Sequence, residues 1–334
     1  MIRFEHLHAS HCESGVMAAL LRHHGMPLSE PMAFGLASAI AFAYLPFVRL
    51  NGLPLIAYRM PPGAVVRGLD RALDLGMRFE TFRSPAAGMA RLDALLDAGH
   101  AVGLQTSIYW LPYIPPDLRF HFNAHNLLVY DREGDEYLVS DPVSETVVRC
   151  ARRDLEKARF AKGALAPKGR LYYVTRQPAA ADWRSLGRSA LARTARVMLH
   201  TPLPLVGVRG IRWLARAVER LRRADDDAAA LLYVGHIVRM QEEIGTGGAG
   251  FRFMYAAFLQ ELAAKTGYGA LDPLAVRLVE IGDEWQQFAF SAAKMIKRRI
   301  AFEPPRLGAR LRELASREQR FFQDLTQARL TWTR

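Results

Sequence analysis

The residue whose type and position first suggest chemistry is Cys12, one of two cysteines in the chain. An apolar stripe at helical spacing follows it from Val16 to Leu21, and Gly25 is typical of a helix end. The sequence therefore predicts that Cys12 begins a helix, where the helix dipole favours the nucleophilic thiolate. A small buried cysteine is the alternative, but the polar residues before Cys12 favour a functional one.

A general base for this thiol is predicted in a hairpin. His125 begins an apolar run that ends at Tyr130, a turn is expected around Glu133–Gly134, and a second strand-like run leads to Asp141. Folding this hairpin brings His125 within a residue or two of Asp141, which could hold the imidazole in the required tautomer. The sequence therefore predicts a triad of cysteine, histidine and aspartate for nucleophilic catalysis.

The histidines near the cysteine allow a second interpretation, which is a metal site. Imidazole and thiolate groups suit zinc. Such donors occur at His6, His8, His11, Cys12, His121 and His125. Their spacing matches no standard zinc motif, so we expect no metal here.

Length, composition and charge limit the classes of protein to which the chain can belong. It has 334 residues, half of them apolar, which is enough for two ordinary domains and too apolar for a disordered protein. Two cysteines cannot form a disulfide framework. The net charge of +12 comes from 39 arginines and six lysines and indicates an acidic partner. No nucleic-acid-binding motif accompanies this charge, so we expect no nucleic acid.

The chain changes character near residue 180. Strand-like runs occur among helical segments before this point, whereas nearly every stretch after it has helical periodicity. We therefore predict the α+β class, with a catalytic domain over residues 1–178 and an all-α domain over residues 183–334. The first domain would hold a helix-start cysteine and an antiparallel sheet that carries the histidine and the aspartate.

An uncharged apolar stretch extends from Pro31 to Val48. It reaches only the short end of a membrane span and is interrupted by proline and glycine, so we interpret it as a buried helix. The N-terminus has no apolar core of signal-peptide length, which predicts a cytoplasmic protein.

Arginine is concentrated between residues 179 and 224, where ten arginines face two acidic residues. A helical stretch from Leu203 to Leu221 combines an apolar face with Arg209, Arg212 and Arg216. Such a helix could lie on an anionic membrane or bind an acidic protein. An ordinary solvated surface is the alternative.

A glycine-rich segment, Gly245-x-Gly247-x-x-Gly250, has the spacing of the dinucleotide fingerprint. The residues before it have helical rather than strand character and no βαβ unit follows, so we interpret it as a turn between helices. Backbone amides at Gly247 and Gly248, with Arg252, could still hold a phosphate.

The order of these residues resembles that of papain-like enzymes and, more closely, the BtrH family of butirosin biosynthesis. The likeness rests on His11-Cys12, Leu20-Leu-Arg-His-His-Gly25, Leu28-Ser-Glu-Pro-Met-Ala-Phe-Gly35, Tyr109-Trp-Leu-Pro-Tyr113, His125 and Asp141-Pro142. The second half resembles the uncharacterised helical domain that usually follows, with its best local match at residues 245–255. The resemblance covers nearly the whole chain.

The resemblance implies a papain-like fold and transfer of an acyl group from an acyl carrier protein thioester to an amine. Cys12 would attack the thioester carbonyl, His125 would take its proton, and Asp141 would orient His125. The acyl group would arrive on the phosphopantetheine of the carrier protein, and a small molecule would accept it. No further cofactor is then required.

The chain departs from papain-type peptidases because no glutamine precedes the cysteine to stabilise an oxyanion. The Cys12 backbone N–H and a side chain such as His11 or His6 would take that role. An acyl tunnel would use Phe34, Phe42, Tyr44, Tyr109, Trp110 and Tyr113. Contacts to the carrier or its phosphate would come from Gly247, Gly248, Arg252, Arg209, Arg212 and Arg216.

Three functions are compatible with this sequence. The first is the acyltransferase, in secondary-metabolite or lipid biosynthesis. The second is hydrolysis by the same acyl-enzyme, as a thioesterase or a peptidase. The third is a binding module for an acyl chain or a carrier protein in which the triad is inactive. Contact with a membrane surface and a homo-oligomer both stay open.

Overall fold

The structure is a computed structural model that describes residues 3–50, 52–178, 180–221, 228–244 and 247–332. Within these residues it has eight strands. They are β1 (Ile40–Leu50), β2 (Leu53–Arg59), β3 (Arg78–Glu80), β4 (Val102–Thr106), β5 (His125–Glu133), β6 (Glu136–Ser140), β7 (Val148–Ala151) and β8 (Leu171–Tyr173).

Eleven α-helices accompany these strands in the described part of the chain. They are α1 (Cys12–His23), α2 (Glu30–Leu36), α3 (Ala64–Leu73), α4 (Pro85–Asp97), α5 (Arg152–Arg159), α6 (Trp183–His200), α7 (Gly207–Glu219), α8 (Ala228–Glu242), α9 (Arg252–Thr266), α10 (Asp272–Ile296) and α11 (Pro304–Thr331).

The chain divides into two compact units. The first comprises Met1–Ala33 with Pro62–Ala181, and the second comprises Phe34–Pro61 with Asp182–Arg334. One change of unit therefore falls close to the predicted boundary near residue 180. Residues 34–61, which the sequence assigned to the first domain, belong to the second unit.

The first unit is built on an antiparallel sheet with the strand order β3-β8-β4-β5-β6-β7. Apolar side chains of α4 and α5 pack on this sheet around Leu104, Leu127 and Val129. Strand β4 is buried at every position, because sheet neighbours and helices cover it. The predicted α+β class, with a helix-start cysteine and an antiparallel sheet, is confirmed.

The second unit contains the six helices α6 to α11 and the hairpin β1–β2. The interpretation of residues 31–48 as one buried helix is wrong. Helix α2 ends at Leu36, Ser38 has a positive φ of 57°, and strand β1 begins at Ile40. Residues 40–50 form a strand rather than a helix because they pair antiparallel with β2. An Asn51-Gly52 pair between two apolar runs is a strong hairpin signal, and it pointed to this pairing.

Among the helices of the described residues, none is both long and apolar enough to cross a membrane.

Candidate active site

Cys12 is the first residue of α1, as predicted. His11 caps the helix, and its Nδ1 accepts a hydrogen bond from the Ser14 backbone N–H at 3.4 Å and lies 2.8 Å from Ser14 Oγ. The Cys12 thiol forms no disulfide and is 8% exposed. Its backbone N–H makes no hydrogen bond within the described residues, as is typical of a first-turn amide.

Glu30, at the start of α2, holds the chain that leads into α1. Its carboxylate accepts hydrogen bonds from the backbone N–H of Ser10 at 3.0 Å and of His11 at 2.7 Å, and from Ser14 Oγ at 3.2 Å. Burial raises the pKa of Glu30, and these donors oppose that shift. Sequence reasoning missed this residue, because only tertiary folding brings Glu30 back to α1.

The hairpin of β5 and β6 positions the other two members of the triad. Leu128 lies opposite Ser140, and Glu133 opposite Glu136, so the turn is at residues 134–135, one residue later than predicted. His125 begins β5, and Asp141 follows β6 directly. The register therefore brings the two residues to the same end of the hairpin, as expected.

His125 and Asp141 form a buried pair. His125 Nε2 lies 2.7 Å from Asp141 Oδ2, and the two side chains are 3% and 0% exposed. The Cys12 thiol is the other group that acts on the His125 imidazole, because it raises the pKa of that ring. Burial lowers the pKa of His125, but Asp141 and Cys12 outweigh it and raise that pKa to about 10. Since Nε2 faces the aspartate, Nδ1 is the nitrogen that can accept the thiol proton.

Tyr113 is the second donor to the aspartate. Its hydroxyl donates to Asp141 Oδ2 at 2.8 Å, and the Val143 backbone N–H donates to Oδ1 at 3.2 Å. Burial and the neighbouring carboxylate raise the pKa of Tyr113 well above its usual value, so the phenol stays protonated. Tyr113, predicted as a substrate contact, instead supports the orienting carboxylate.

The corner that follows Asp141 packs against the start of α1. The Ala9 backbone N–H donates to the Pro142 carbonyl at 2.7 Å. A Cβ atom at Gly15 would lie only 2.7 Å from the Cβ atoms of Ala9 and Pro142. Glycine is therefore required at position 15 for the aspartate corner and the cysteine helix to approach this closely.

The two histidines predicted as oxyanion donors, His6 and His11, differ in whether a ring nitrogen is available for that role. His6 Nε2 donates to the Ser144 carbonyl at 3.0 Å, and His6 Nδ1 lies 2.8 Å from Ser140 Oγ. Both ring nitrogens are thereby engaged, so His6 braces the aspartate corner and the prediction for it is wrong. His11 uses Nδ1 as an acceptor, which leaves the proton of the neutral ring on Nε2. Its oxyanion role stays a prediction.

The part of the chain that the structure describes contains no cluster of three or more histidine, cysteine, aspartate or glutamate side chains that could hold a metal ion.

The predicted acyl-tunnel residues belong to different units. Phe34, Phe42 and Tyr44 belong to the second unit and are buried in its core. Phe34 stacks on Phe251 with ring centroids 4.9 Å apart, and Phe42 packs on Tyr58 at 5.3 Å. These rings fill space among one another, so the tunnel prediction for them is wrong.

Tyr109 and Trp110 lie in the first unit and are both partly exposed, at 38% and 42%. Tyr109 stacks on His121 with centroids 4.1 Å apart, and the Lys157 ammonium lies 5.7 Å from the Trp110 ring. They remain candidates for substrate contact.

Arg252 does not serve as a phosphate ligand. It is wholly buried, and its guanidinium donates to both carboxylate oxygens of Glu318, at 2.8 and 3.0 Å. Near Gly247 and Gly248, the Ala249 N–H donates to the Glu242 carboxylate. The Glu242 carboxylate therefore lies beside this glycine segment and makes it unfavourable for an anionic phosphate. Gly245, which opens the motif, lies outside the described residues.

The arginines of α7 lie on a helix whose apolar face is covered. Val208, Ile211 and Leu214 are buried, whereas Arg209 and Arg216 are exposed. Arg212 is partly buried and donates to Gln319 Oε1 at 2.5 Å. Because the apolar side is in the core, only the arginine side of α7 is available to a partner.

The second cysteine has a structural place. Cys150 lies in β7 and is buried in the core of the sheet. Burial, with Asp154 and Glu136, raises the pKa of its thiol to about 12. It is therefore a poor nucleophile at neutral pH.

Two family models match the chain. Residues 11–142 match the family described as "Butirosin biosynthesis protein H, N-terminal", and residues 153–325 match "Domain of unknown function (DUF4872)". No curated protein matches the sequence significantly.

One solved structure with some similarity is a C39-like peptidase from Bacillus anthracis. It is 16% identical, and the alignment covers 53% of this chain and 94% of that chain with a TM-score of 0.36. Values this low say nothing about a shared activity.

The two matched segments follow one another as expected, and the second covers just over half of the chain. The chain therefore belongs to the family in which a domain of the butirosin biosynthesis protein H type is followed by the domain DUF4872.

Proposed function

We propose that this protein is a cysteine acyltransferase that moves an acyl group from the thioester of an acyl carrier protein to an amine or hydroxyl. The observation that carries the proposal is the buried line from Asp141 through His125 to Cys12. An imidazole that is protonated at neutral pH beside a helix-start thiol favours the thiolate.

In the first half-reaction, the Cys12 sulfur attacks the thioester carbonyl carbon and forms a tetrahedral oxyanion. The Cys12 proton resides on His125 Nδ1 at this stage, while Asp141 holds Nε2. Collapse of the intermediate breaks the bond to the pantetheine sulfur, which takes the proton from His125. The acyl group is then attached to Cys12 as a new thioester.

In the second half-reaction, an amine or hydroxyl attacks the acyl-enzyme, and its proton passes to His125. The bond to Cys12 breaks, and the product is an amide or an ester. Conversion of a thioester into an amide is downhill, so no nucleotide is required.

Stabilisation of the oxyanion is expected from the Cys12 backbone N–H, which makes no hydrogen bond within the described residues. Gln105, the first glutamine of the chain, is engaged elsewhere, because its Nε2 donates to the carbonyls of Asn123 and Leu165 at 2.9 and 3.0 Å. The lack of a peptidase-type glutamine favours the acyltransferase over the peptidase.

The carrier protein is expected to bind the exposed arginine side of α7. Carrier proteins of this type are acidic, so the attraction should weaken with salt. Arg209→Gln with Arg216→Gln should raise the Kd for the carrier about tenfold at low salt. Affinity that does not respond to salt or to these substitutions would remove this role from α7.

The fate of the acyl-enzyme tests the proposed reaction. Acylated protein is isolated and mixed with a panel of primary amines, and intact mass is followed with time. Faster loss of the adduct with an amine, with amide as the product, supports transfer. Equal loss with and without amines identifies a thioesterase instead. A protein that binds acyl carrier but never forms an adduct is a binding module.

A further inference from the structure

A cavity of about 330 Å³ in the first unit has no part in the chemistry described above. Residues at the start of α3 form one wall, and one face of the sheet forms the other. On the sheet, Gln105 lies opposite Asn126, and Tyr172 lies opposite Gly103. Because Gly103 and Gln105 are two positions apart, all four residues share one face.

The cavity is positively charged. Arg67 and Arg170 are its charged lining residues, and no carboxylate lines it. Neither arginine forms an ion pair within the described residues, although many other arginines of the chain do. Two guanidinium groups in one cavity without a counter-ion favour an oxyanion as the occupant.

The sheet holds Arg170 in a fixed position. Its NH1 group donates to Gln105 Oε1 at 2.8 Å. The amide of Gln105 cannot rotate freely, because its nitrogen donates to two backbone carbonyls. The other guanidinium nitrogens of Arg170 make no hydrogen bond in the described part of the chain, and they are available to a ligand.

The floor of the cavity is rigid as well. The Tyr172 ring lies across Gly103, where a Cβ atom would come within 2.1 Å of the ring. The Tyr172 hydroxyl donates to Asn126 Oδ1 at 3.0 Å, and Asn126 Nδ2 donates to the Ala124 carbonyl at 3.1 Å. These bonds use the polar atoms of the floor, so recognition falls to the two arginines.

The cavity lies close to the first turn of α1. Glu13 directly follows Cys12 in that turn. Glu13 Oε1 accepts the backbone N–H groups of Val65 and Val66 at 2.9 and 3.2 Å, and Val66 lines the cavity.

The pKa of Tyr172 gives a second indication that the cavity lies near Cys12. Burial raises the pKa of Tyr172 well above its usual value, and the charges of Glu13 and Cys12 add to that shift. The Tyr172 hydroxyl, at the floor of the cavity, is therefore within electrostatic range of the Cys12 thiol.

We infer that the cavity lined by Arg67 and Arg170 binds an oxyanion group of the substrate that reacts at Cys12. This inference rests on the proposed function. The oxyanion is either a carboxylate at the far end of the acyl group or the phosphate of the pantetheine arm. At about 30 Å³ per water-sized group, the cavity holds about ten non-hydrogen atoms. Phe79, which is 42% exposed at the rim, offers an apolar contact to the linking chain.

Four thioesters distinguish the two sources. Glutaryl and valeryl groups, which differ by a terminal carboxylate, are each attached to pantetheine and to 4′-phosphopantetheine. The rate of Cys12 acylation gives kcat/KM for each. The wild-type protein should have a kcat/KM about tenfold higher either for glutaryl than for valeryl thioesters or for phosphopantetheine than for pantetheine thioesters. Arg170→Gln and Arg67→Gln should each remove most of that difference. A difference between the acyl groups identifies a carboxylate as the ligand, and a difference between the two pantetheine forms identifies the phosphate.

The matched control is Arg71→Gln, an exposed arginine of α3 that does not line the cavity. It should leave both ratios unchanged. A binding measurement keeps the inference separate from the reaction. Calorimetry with glutarate and with inorganic phosphate uses the Cys12→Ala protein, with and without Arg170→Gln.

If no thioester acylates Cys12 but Arg170→Gln weakens glutarate or phosphate binding about tenfold, the proposed reaction fails and the anion site stands. If neither the rate ratios nor the anion affinities depend on Arg67 or Arg170, the inference is overturned.

Discussion

A wholly buried pair of oppositely charged partners occurs in each unit of the molecule, and the two pairs have different roles. In the first unit, His125 lies 2.7 Å from Asp141. In the second unit, Arg252 lies 2.8 Å from Glu318. All four side chains are at most 3% exposed. Burial and charge pairing alone therefore do not distinguish a catalytic pair from a structural one.

The difference lies in what each cation does with its remaining donors. Arg252 also donates to the Gly250 carbonyl at 2.6 Å and lies against the rings of Tyr58 and Trp285, 5.6 and 5.3 Å from their centroids. Trp285 Nε1 in turn donates to Glu318 at 2.7 Å. The Arg252 guanidinium is fully enclosed by these contacts, so the role of the pair is to stabilise the folded protein.

His125 is held on one side alone. Its Nε2 faces the aspartate, which leaves Nδ1 for proton transfer with the Cys12 thiol, the other group that raises the pKa of the ring. A buried pair with one proton-transfer position directed at a nucleophile is suited to catalysis.

The largest expected effect is that of His125→Ala, which removes the base and leaves the thiol. Acylation of Cys12 should fall by at least about 10⁴-fold. His100→Ala is the matched control, since His100 packs on Tyr173 and touches no member of the triad. Stopped-flow acylation rates measure both. A loss of less than about tenfold in His125→Ala would show that the histidine is not the base.

Asp141→Asn should lower the acylation rate about 10³-fold, because the orienting charge is lost while the shape is kept. The pKa of His125 should fall from about 10 toward its ordinary value of 6.5. Nitrogen-15 chemical shifts of the imidazole measure that titration directly.

The effect of Asp141→Asn on the free energy of unfolding should depend on pH in a definite direction. The folded-state pKa of His125 lies above that of the unfolded chain, so the pair stabilises fully below about pH 6.5 and loses that contribution as the pH rises toward about 10. The difference in free energy of unfolding between wild type and Asp141→Asn should therefore be larger at about pH 6 than at about pH 10. A difference that grows with pH would contradict the assignment.

Glu318→Gln tests the other half of the comparison. Removing one charge of a buried pair should lower the free energy of unfolding by about 3–5 kcal/mol, which denaturant titration measures. Molecules that remain folded should acylate at the wild-type rate. A large loss of stability with normal acylation per folded molecule identifies the Arg252 pair as structural, whereas unchanged stability would contradict this account.

The smallest effect is expected for Tyr113→Phe, which removes one of the hydrogen bonds to Asp141. The acylation rate should fall about threefold to tenfold, in keeping with the loss of one hydrogen bond to a charged group. The His125 titration should shift upward, because Asp141 then has fewer donors and interacts more strongly with the imidazole. No change in either quantity would show that Tyr113 merely fills space.

The triad was predictable from sequence because its signals are local. Cys12 is followed by a helical stripe, and a turn of charged residues and glycine separates the run that begins at His125 from the run that leads to Asp141. Hairpin register follows from the turn, which is why His125 and Asp141 were expected at the same end.

The residues that support the triad were not predictable, because they are distant in sequence from what they hold. Glu30 and Tyr113 reach the site from other elements. Likewise, the fold assigns Phe34 and Phe42 to the second unit, where they pack with rings far along the chain. Arg252 was predicted to contact a phosphate, because its actual partner Glu318 lies 66 residues away in sequence.

The most direct test of the central claim is the site of covalent attachment. Wild-type protein is mixed with an acyl carrier thioester, and intact mass and peptide mapping locate the acyl group. One acyl group on Cys12, none on Cys150 and no adduct in Cys12→Ala is the expected result. An adduct that persists in Cys12→Ala, or a wild-type protein that forms none, would contradict the claim that Cys12 is the nucleophile.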